Sequence, residues 1–227
     1  MSKRKVIFRY NAYYYLFNKC LDRRVLFKDE EDYLYFVYLL YYLNQQNSIE
    51  LRHLKLKLSD PKHCYHFKPL RVKSFYYLKI IGFCLLPNCF SLVVEQLTNQ
   101  GVSDFMQKLG TSYSLHYNKK YTRSGPIFCG PFKSFYVEIM FLEKILLLVH
   151  LLPLKLFRGL SSNKQCLKVK QYFWSSLPYY LGNNIWCPFL KHNKKLRQGF
   201  KSKTIRSTVL KKKNLNYRKL TIACLND

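Results

Sequence analysis

The stretch 80-IIGFCLLPNCFSLVVEQ-96 decides the architecture. Two runs rich in aliphatic and aromatic residues flank a Pro87-Asn88 pair, and Pro-Asn is turn chemistry, so the stretch reads as a hairpin. The arm before the turn extends back to Phe75 and predicts a strand over 75–86. The arm after it predicts a strand over 89–95. Side chains alternate along a strand, so Cys89 and Ser91 share one face while Phe90, Leu92 and Val94 share the other.

Upstream of the hairpin, RYNAYYYLF (9–17) is an aromatic-rich first strand. Asp29 is an N-cap, and Glu30, Glu31 and Asp32 occupy the first turn, where the helix dipole favours acids. Tyr33, Phe36, Val37, Leu40 and Tyr41 continue at helical spacing to about Asn44. The segment 48–73 is basic and irregular, contains Pro61 and Pro69, and reads as an exposed excursion. Downstream, GVSDFMQKLGTSYSLHYNKKY (101–121) is a second helix opened by Ser103. A glycine-punctuated turn leads to a fourth strand at 133–138, and Phe141 to Leu152 forms a third helix stopped at Pro153. The order β-α-β-β-α-β-α belongs to the α+β class. Its first six elements match the ferredoxin-like split βαβ plan, an antiparallel sheet with helices on one face. The expected organisation is one domain over 1–158, an aromatic packing segment over 159–190, and a basic, mobile tail over 191–227.

Composition narrows the function. Of 227 residues, 48% are apolar, which is a folding composition, yet the formal net charge is +27. Such a charge attracts polyanions, so nucleic acid is the first expected partner. Twelve Lys or Arg and no acid lie between Lys191 and Lys219. No signal peptide is legible in MSKRKVIFRYNAYYY, and the longest apolar run, ILLLVHLLPL (145–154), is too short to span a bilayer. The eight cysteines are scattered without a CxxC pair, as in a reducing compartment. The expectation is a cytoplasmic protein with no membrane partner.

Five segments resemble the IS200-like transposases of the HUH endonuclease group, especially the REP-associated tyrosine transposases. They are YYLFNKCLDRRVLFKDEEDYLYF (14–36), IIGFCLLPNCFSLVVEQ (80–96), GVSDFMQKLGTSYSLHYNKKYTRSGPIFCGPFKS (101–134), LVHLLPLK (148–155) and FWSSLPYYLG (173–182). The resemblance implies DNA nicking at hairpins. In that family two histidines at i and i+2 of a strand hold a divalent ion, magnesium or manganese, that polarises the scissile phosphate. A helix tyrosine attacks phosphorus, and an asparagine one turn later completes the metal shell. In this sequence the two ligand positions carry Cys89 and Ser91, the nucleophile position carries Leu148, and the amide position carries Leu152. His150 and Pro153 of the helix motif remain. Leucine offers no nucleophilic atom, serine is a poor ligand, and a thiolate suits soft metals rather than magnesium or manganese. Cys20, Cys129 and Pro131 also stand where the family would have glycine, glutamine and arginine.

The resemblance therefore implies binding of single-stranded or hairpin DNA by a copy with impaired catalysis and no assignable cofactor. Lys108, Lys119, Lys120, Arg123, Lys133, Lys194, Lys195, Arg197, Lys211, Lys212 and Lys213 are the candidate phosphate contacts. Two alternatives stay open: an active divergent nuclease drawing on Cys89, His150 and a tyrosine among Tyr113, Tyr117 and Tyr121, or a basic RNA-binding protein reusing the fold. His53, His63, Cys64 and His66 match no standard zinc spacing and read as a solvated loop. Monomer and homodimer are equally compatible with the sequence.

Overall fold

A computed structural model describes residues 7–46, 75–182 and 190. Within them four strands, β1 (Tyr13–Lys19), β2 (Leu78–Leu86), β3 (Cys89–Gln96) and β4 (Lys133–Val137), form one sheet in the order β2-β3-β1-β4. Every neighbouring pair is antiparallel. With α1 (Glu30–Tyr42) after β1 and α2 (Gly101–Lys120) after β3, this is the α+β split βαβ arrangement expected from the element order.

Pairing sets the strand limits. β1 starts at Tyr13, opposite Glu95, because Asn11 adopts positive φ and turns the chain before the ladder begins. It runs on to Lys19, opposite Cys89, two residues past the expected end. β2 starts at Leu78 rather than Phe75. There the Asn44 side chain accepts from Leu78 N–H (2.9 Å) and donates to Leu78 C=O (2.7 Å), joining the end of α1 to the start of the strand. A bulge at Ile81 shifts the register between Ile80 and Gly82.

Asp29 caps α1 as expected, its side chain accepting from Asp32 N–H. The second helix begins at Gly101, two residues before Ser103. Gln100 turns the chain in the left-handed region, and Gln96 Oε1, reaching from the end of β3, accepts from Val102 N–H (3.0 Å). The expected serine cap is thus replaced by a glutamine from the preceding strand. The third helix, α3 (Leu142–Leu151), does not simply stop at Pro153. The chain tightens into a 3-10 helix over Leu152–Phe157, which accepts proline in its first turn. A further helix, α4 (Ser162–Lys170), was not legible in the sequence, and α5 (Leu177–Tyr180) is one short turn.

Both sheet faces are covered over β2 and β3, while β4 at the other edge leaves Phe135 and Tyr136 exposed. Phe90, Leu92 and Val94 of β3, with Leu16 and Phe83, face α1 and α2, where Phe36 packs on Phe90 (centroids 4.9 Å) and on Tyr113. On the opposite face Gly82 lies against Leu146 and His150 of α3. Its pairing with Val93, and that of Cys84 with Ser91, put all four residues on the α3 side. The edge of β2 is closed by the segment 172–180. Leu85 N–H donates to Trp174 C=O (2.8 Å), Ser176 N–H to Phe83 C=O (3.0 Å), and the Tyr172 and Tyr180 hydroxyls to Leu85 and Ile81 C=O. An edge strand that would otherwise invite pairing is thereby satisfied. No helix among the described residues is long and apolar enough to cross a membrane.

Candidate functional site

Cys89 and Ser91 share one face of β3, as the alternation required, and the structure shows that face to be the α3 side of the sheet. Ser91 is buried, and its Oγ lies 3.1 Å from the Tyr15 hydroxyl, with which it shares a hydrogen bond. Cys89 is half-buried beside Cys84, the residue two places before Leu86, its cross-strand partner. Burial pushes the Cys84 thiol well up, Cys89 adds to that, and Lys155 opposes it. A thiol so placed stays protonated at neutral pH.

On α3, Leu148 is half-buried and Leu152 is buried. His150 is fully buried, with Nε2 2.7 Å from Ser176 Oγ and its ring 5.2 Å from the Tyr180 ring. Burial lowers its pKa to about 3, so the imidazole is neutral at physiological pH. Ser176 Oγ also accepts from Phe83 N–H (2.9 Å) and lies within donating distance of Phe83 C=O (3.2 Å). His150 therefore helps fasten the 172–180 segment to β2 and α3.

These side chains do not fit a magnesium or manganese ion. Such ions take oxygen donors or imidazole nitrogen, not a thiol or an apolar side chain. Here Ser91 offers a neutral hydroxyl committed to Tyr15, Cys89 a thiol, and Leu152 an apolar side chain. Among the described residues no group of three His, Cys, Asp or Glu could hold a metal. His53, His63, Cys64 and His66 lie outside the described residues.

The tyrosines of α2 face the other way. Tyr113 OH donates to Leu26 C=O and Tyr117 OH to Val25 C=O, both at 2.9 Å, and Tyr121 OH donates to Asp32 Oδ2 at 2.6 Å. Burial raises the pKa of all three. They anchor the loop before α1 against α2, on the opposite side of the sheet from Cys89 and Ser91, so the structure does not bring them to that pair.

The basic candidates divide into two groups. Lys120 is engaged: its Nζ lies 2.8 Å from Asp29, 2.9 Å from Glu31 and 3.0 Å from the buried Asp32. Burial opposes its charge, but these carboxylates outweigh burial and raise its pKa. Lys120 joins the end of α2 to the start of α1. Lys108, Lys119 and Lys133 are exposed. Lys108 donates to the Tyr77 hydroxyl (2.8 Å) and sits over that ring, while Lys133 stands 6.0 Å from the Phe17 ring. Arg123 is half-buried, donates to Pro126 C=O (3.3 Å) and lies over Tyr117. Lys194, Lys195, Arg197, Lys211, Lys212 and Lys213 lie outside the described residues.

Beside Lys133, the Phe17 and Phe135 rings stack in parallel (6.2 Å, 2°) with Tyr15 against both, and Phe135 is 38% exposed. An exposed phenyl next to a lysine is the pairing that single-stranded nucleic acid uses, base on ring and phosphate on ammonium. Sequence reading missed Tyr15 and Ser176. Alternation alone puts Tyr15 and Phe17 on one face, but only the register opposite Ser91 and Val93 reveals the bond to Ser91.

No family model matches the sequence, and no curated protein matches it. The chain is similar in structure to a REP-associated tyrosine transposase solved bound to a REP hairpin, at 8% sequence identity and a TM-score of 0.52. The likeness spans 83% of this chain and 90% of that one, and at such low identity it is the fold that the two share.

Proposed function

We propose that this protein binds single-stranded or hairpin-ended DNA and does not cut it. The observation that carries the reading is a net charge of +27 over the whole chain, joined to a fold like that of a hairpin-bound transposase. A fold by itself assigns no function, but the charge supplies the phosphate affinity that such a ligand needs. Lys108, Lys119, Arg123 and Lys133 are the proposed phosphate contacts on the described domain, and Phe135 a proposed stacking platform. The basic residues from Lys194 to Lys213 add charge in sequence, and we assign them the same role.

The side chains support the reading that the protein does not cut. Phosphoryl transfer by this architecture needs a nucleophile near a Lewis acid. Leu148 and Leu152 bring neither, Ser91 is spent on Tyr15, and His150 is buried and tied to Ser176. Around Ser91, His150 and Leu152 the α3 side of the sheet is packed, and its exposed aromatic surface lies further along, at Phe135.

Fluorescence anisotropy with a labelled hairpin carrying a single-stranded tail tests the proposal, with blunt duplex of the same sequence as competitor. Binding should prefer the tailed hairpin and weaken linearly in log–log against salt, with a slope near −0.7 for each phosphate neutralised on the single strand. Equal affinity for blunt duplex, or no salt dependence, would overturn it.

A further inference from the structure

A groove of about 600 Å³ opens on the helix side of the sheet, between α2, the end of β1 and residues 128–132. Its volume lies in the range of small-ligand sites. Phe90, Phe128 and Phe132 supply aromatic walls, while Asn18 and the α2 residues Gln107 and Thr111 supply amide and hydroxyl groups. None of the lining residues is charged, so a phosphate has no counter-ion inside. The lining suits a flat, neutral ring with hydrogen-bonding edges. Asn18 is held in place, its Nδ2 donating to Gly130 C=O (3.1 Å) and its Oδ1 accepting from Lys19 N–H (2.9 Å).

Gly110 is the second observation. Glycine inside a helix is about 1 kcal/mol less favourable than alanine. A Cβ here would meet nothing within 4 Å, so packing does not call for glycine. What its missing side chain leaves is space, and Gly110 lines the groove. Leu115, 67% exposed, stands at the lip, and the exposed Lys119 follows one turn later on the same stripe of α2.

We infer that this groove takes an unpaired base of the bound strand, with the strand's phosphates passing outside along Lys119. The inference rests on the nucleic-acid reading above and adds to it a base-contacting site separate from the Cys89–Ser91 face. The exposed Lys119 beside the groove and the chain's net charge of +27 favour a nucleic-acid base, rather than an uncharged aromatic compound, as the occupant.

The test measures anisotropy of the labelled tailed hairpin with the full chain and three variants. Gly110→Phe fills the groove, and Thr111→Trp, at an exposed position, fills it from the rim should Gly110→Phe fail to fold. Leu167→Phe, exposed on α4, is the control. Both groove variants should lose tenfold or more in affinity with unchanged thermal melts and unchanged salt slope. A tail with abasic sites should weaken binding to the unaltered protein by a similar factor and to Gly110→Phe hardly at all. Blocked variants that bind within twofold of the unaltered protein would overturn the inference while leaving the function reading intact. So would a free nucleoside monophosphate that saturates the groove as tightly as the tailed strand, since that marks a small-molecule site. No binding by the unaltered protein would overturn both.

Discussion

The buried imidazole of His150 makes stability depend on pH in a way that can be worked out in advance. Its folded pKa is about 3, because burial opposes the charged form. An unfolded histidine titrates near 6.5. As pH falls below 6.5 the unfolded chain takes the proton first. The stability due to a neutral His150 is therefore fully present above pH 6.5 and is lost progressively down to about pH 3. Between pH 7 and pH 5 the loss from this residue is about 2 kcal/mol, and each further unit removes about 1.4 kcal/mol more until the folded pKa is reached. His150→Leu deletes the titration. It also deletes the bond to Ser176 Oγ, which keeps its contacts with Phe83 N–H and C=O. Urea denaturation at pH 7 and pH 5 should show the variant losing about 2 kcal/mol less than the unaltered protein. His116 is also lowered by burial and contributes with the same sign, but it is present in both proteins and cancels in the difference. Equal losses in the two proteins would show that His150 is not buried as a neutral group.

Three further substitutions test the packing around β2, α3 and the 172–180 segment and the link between the helices. Ser176→Ala should cost about 1–3 kcal/mol, because Phe83 N–H loses its acceptor in a buried setting. Hydrogen exchange should then quicken at the Phe83 and Leu85 amides, which the 172–180 segment protects. Gly82→Ala should destabilise by about 1–3 kcal/mol, since the new Cβ would collide with buried Leu146 and sit 3.0 Å from Ser176 Oγ; circular dichroism melts would measure the loss. Lys120→Met leaves Asp29, Glu31 and Asp32 without their shared cation, so the urea midpoint should fall at pH 7. Asp29 has a depressed pKa, its stabilisation being present above the unfolded carboxylate value and lost as pH falls through the folded one, so the variant and parent should converge below pH 4.

Much of the fold is legible from local pattern. The Pro87-Asn88 turn, the Asp29 cap and the alternation after Cys89 each encode their element within a few residues, and the structure agrees with all three. What sequence could not supply is set by distant partners. The start of α2 depends on Gln96 reaching across from β3, and the start of β2 depends on Asn44, 34 residues away. The segment around FWSSLPYYLG stands out by composition, yet its docking on β2 rests on bonds to Phe83 and Leu85 some 90 residues earlier. At the site, alternation placed Cys89 and Ser91 together, while the Tyr15 and Ser176 partners that close it depend on register and on tertiary docking. Lys120 illustrates the converse. By sequence it is one more basic residue at a helix end, and only the packing of α2 on α1 commits it to three carboxylates.

Covalent capture on DNA separates binding from cutting in one experiment. The protein is incubated with a labelled hairpin-tailed strand and manganese, then resolved by denaturing electrophoresis alongside a native gel of the same mixture. The expected result is a salt-sensitive complex on the native gel, unchanged when the manganese is chelated, and an intact strand with no protein attached under denaturing conditions. A strand joined to the protein through a tyrosine, or a manganese-dependent nick, would contradict it.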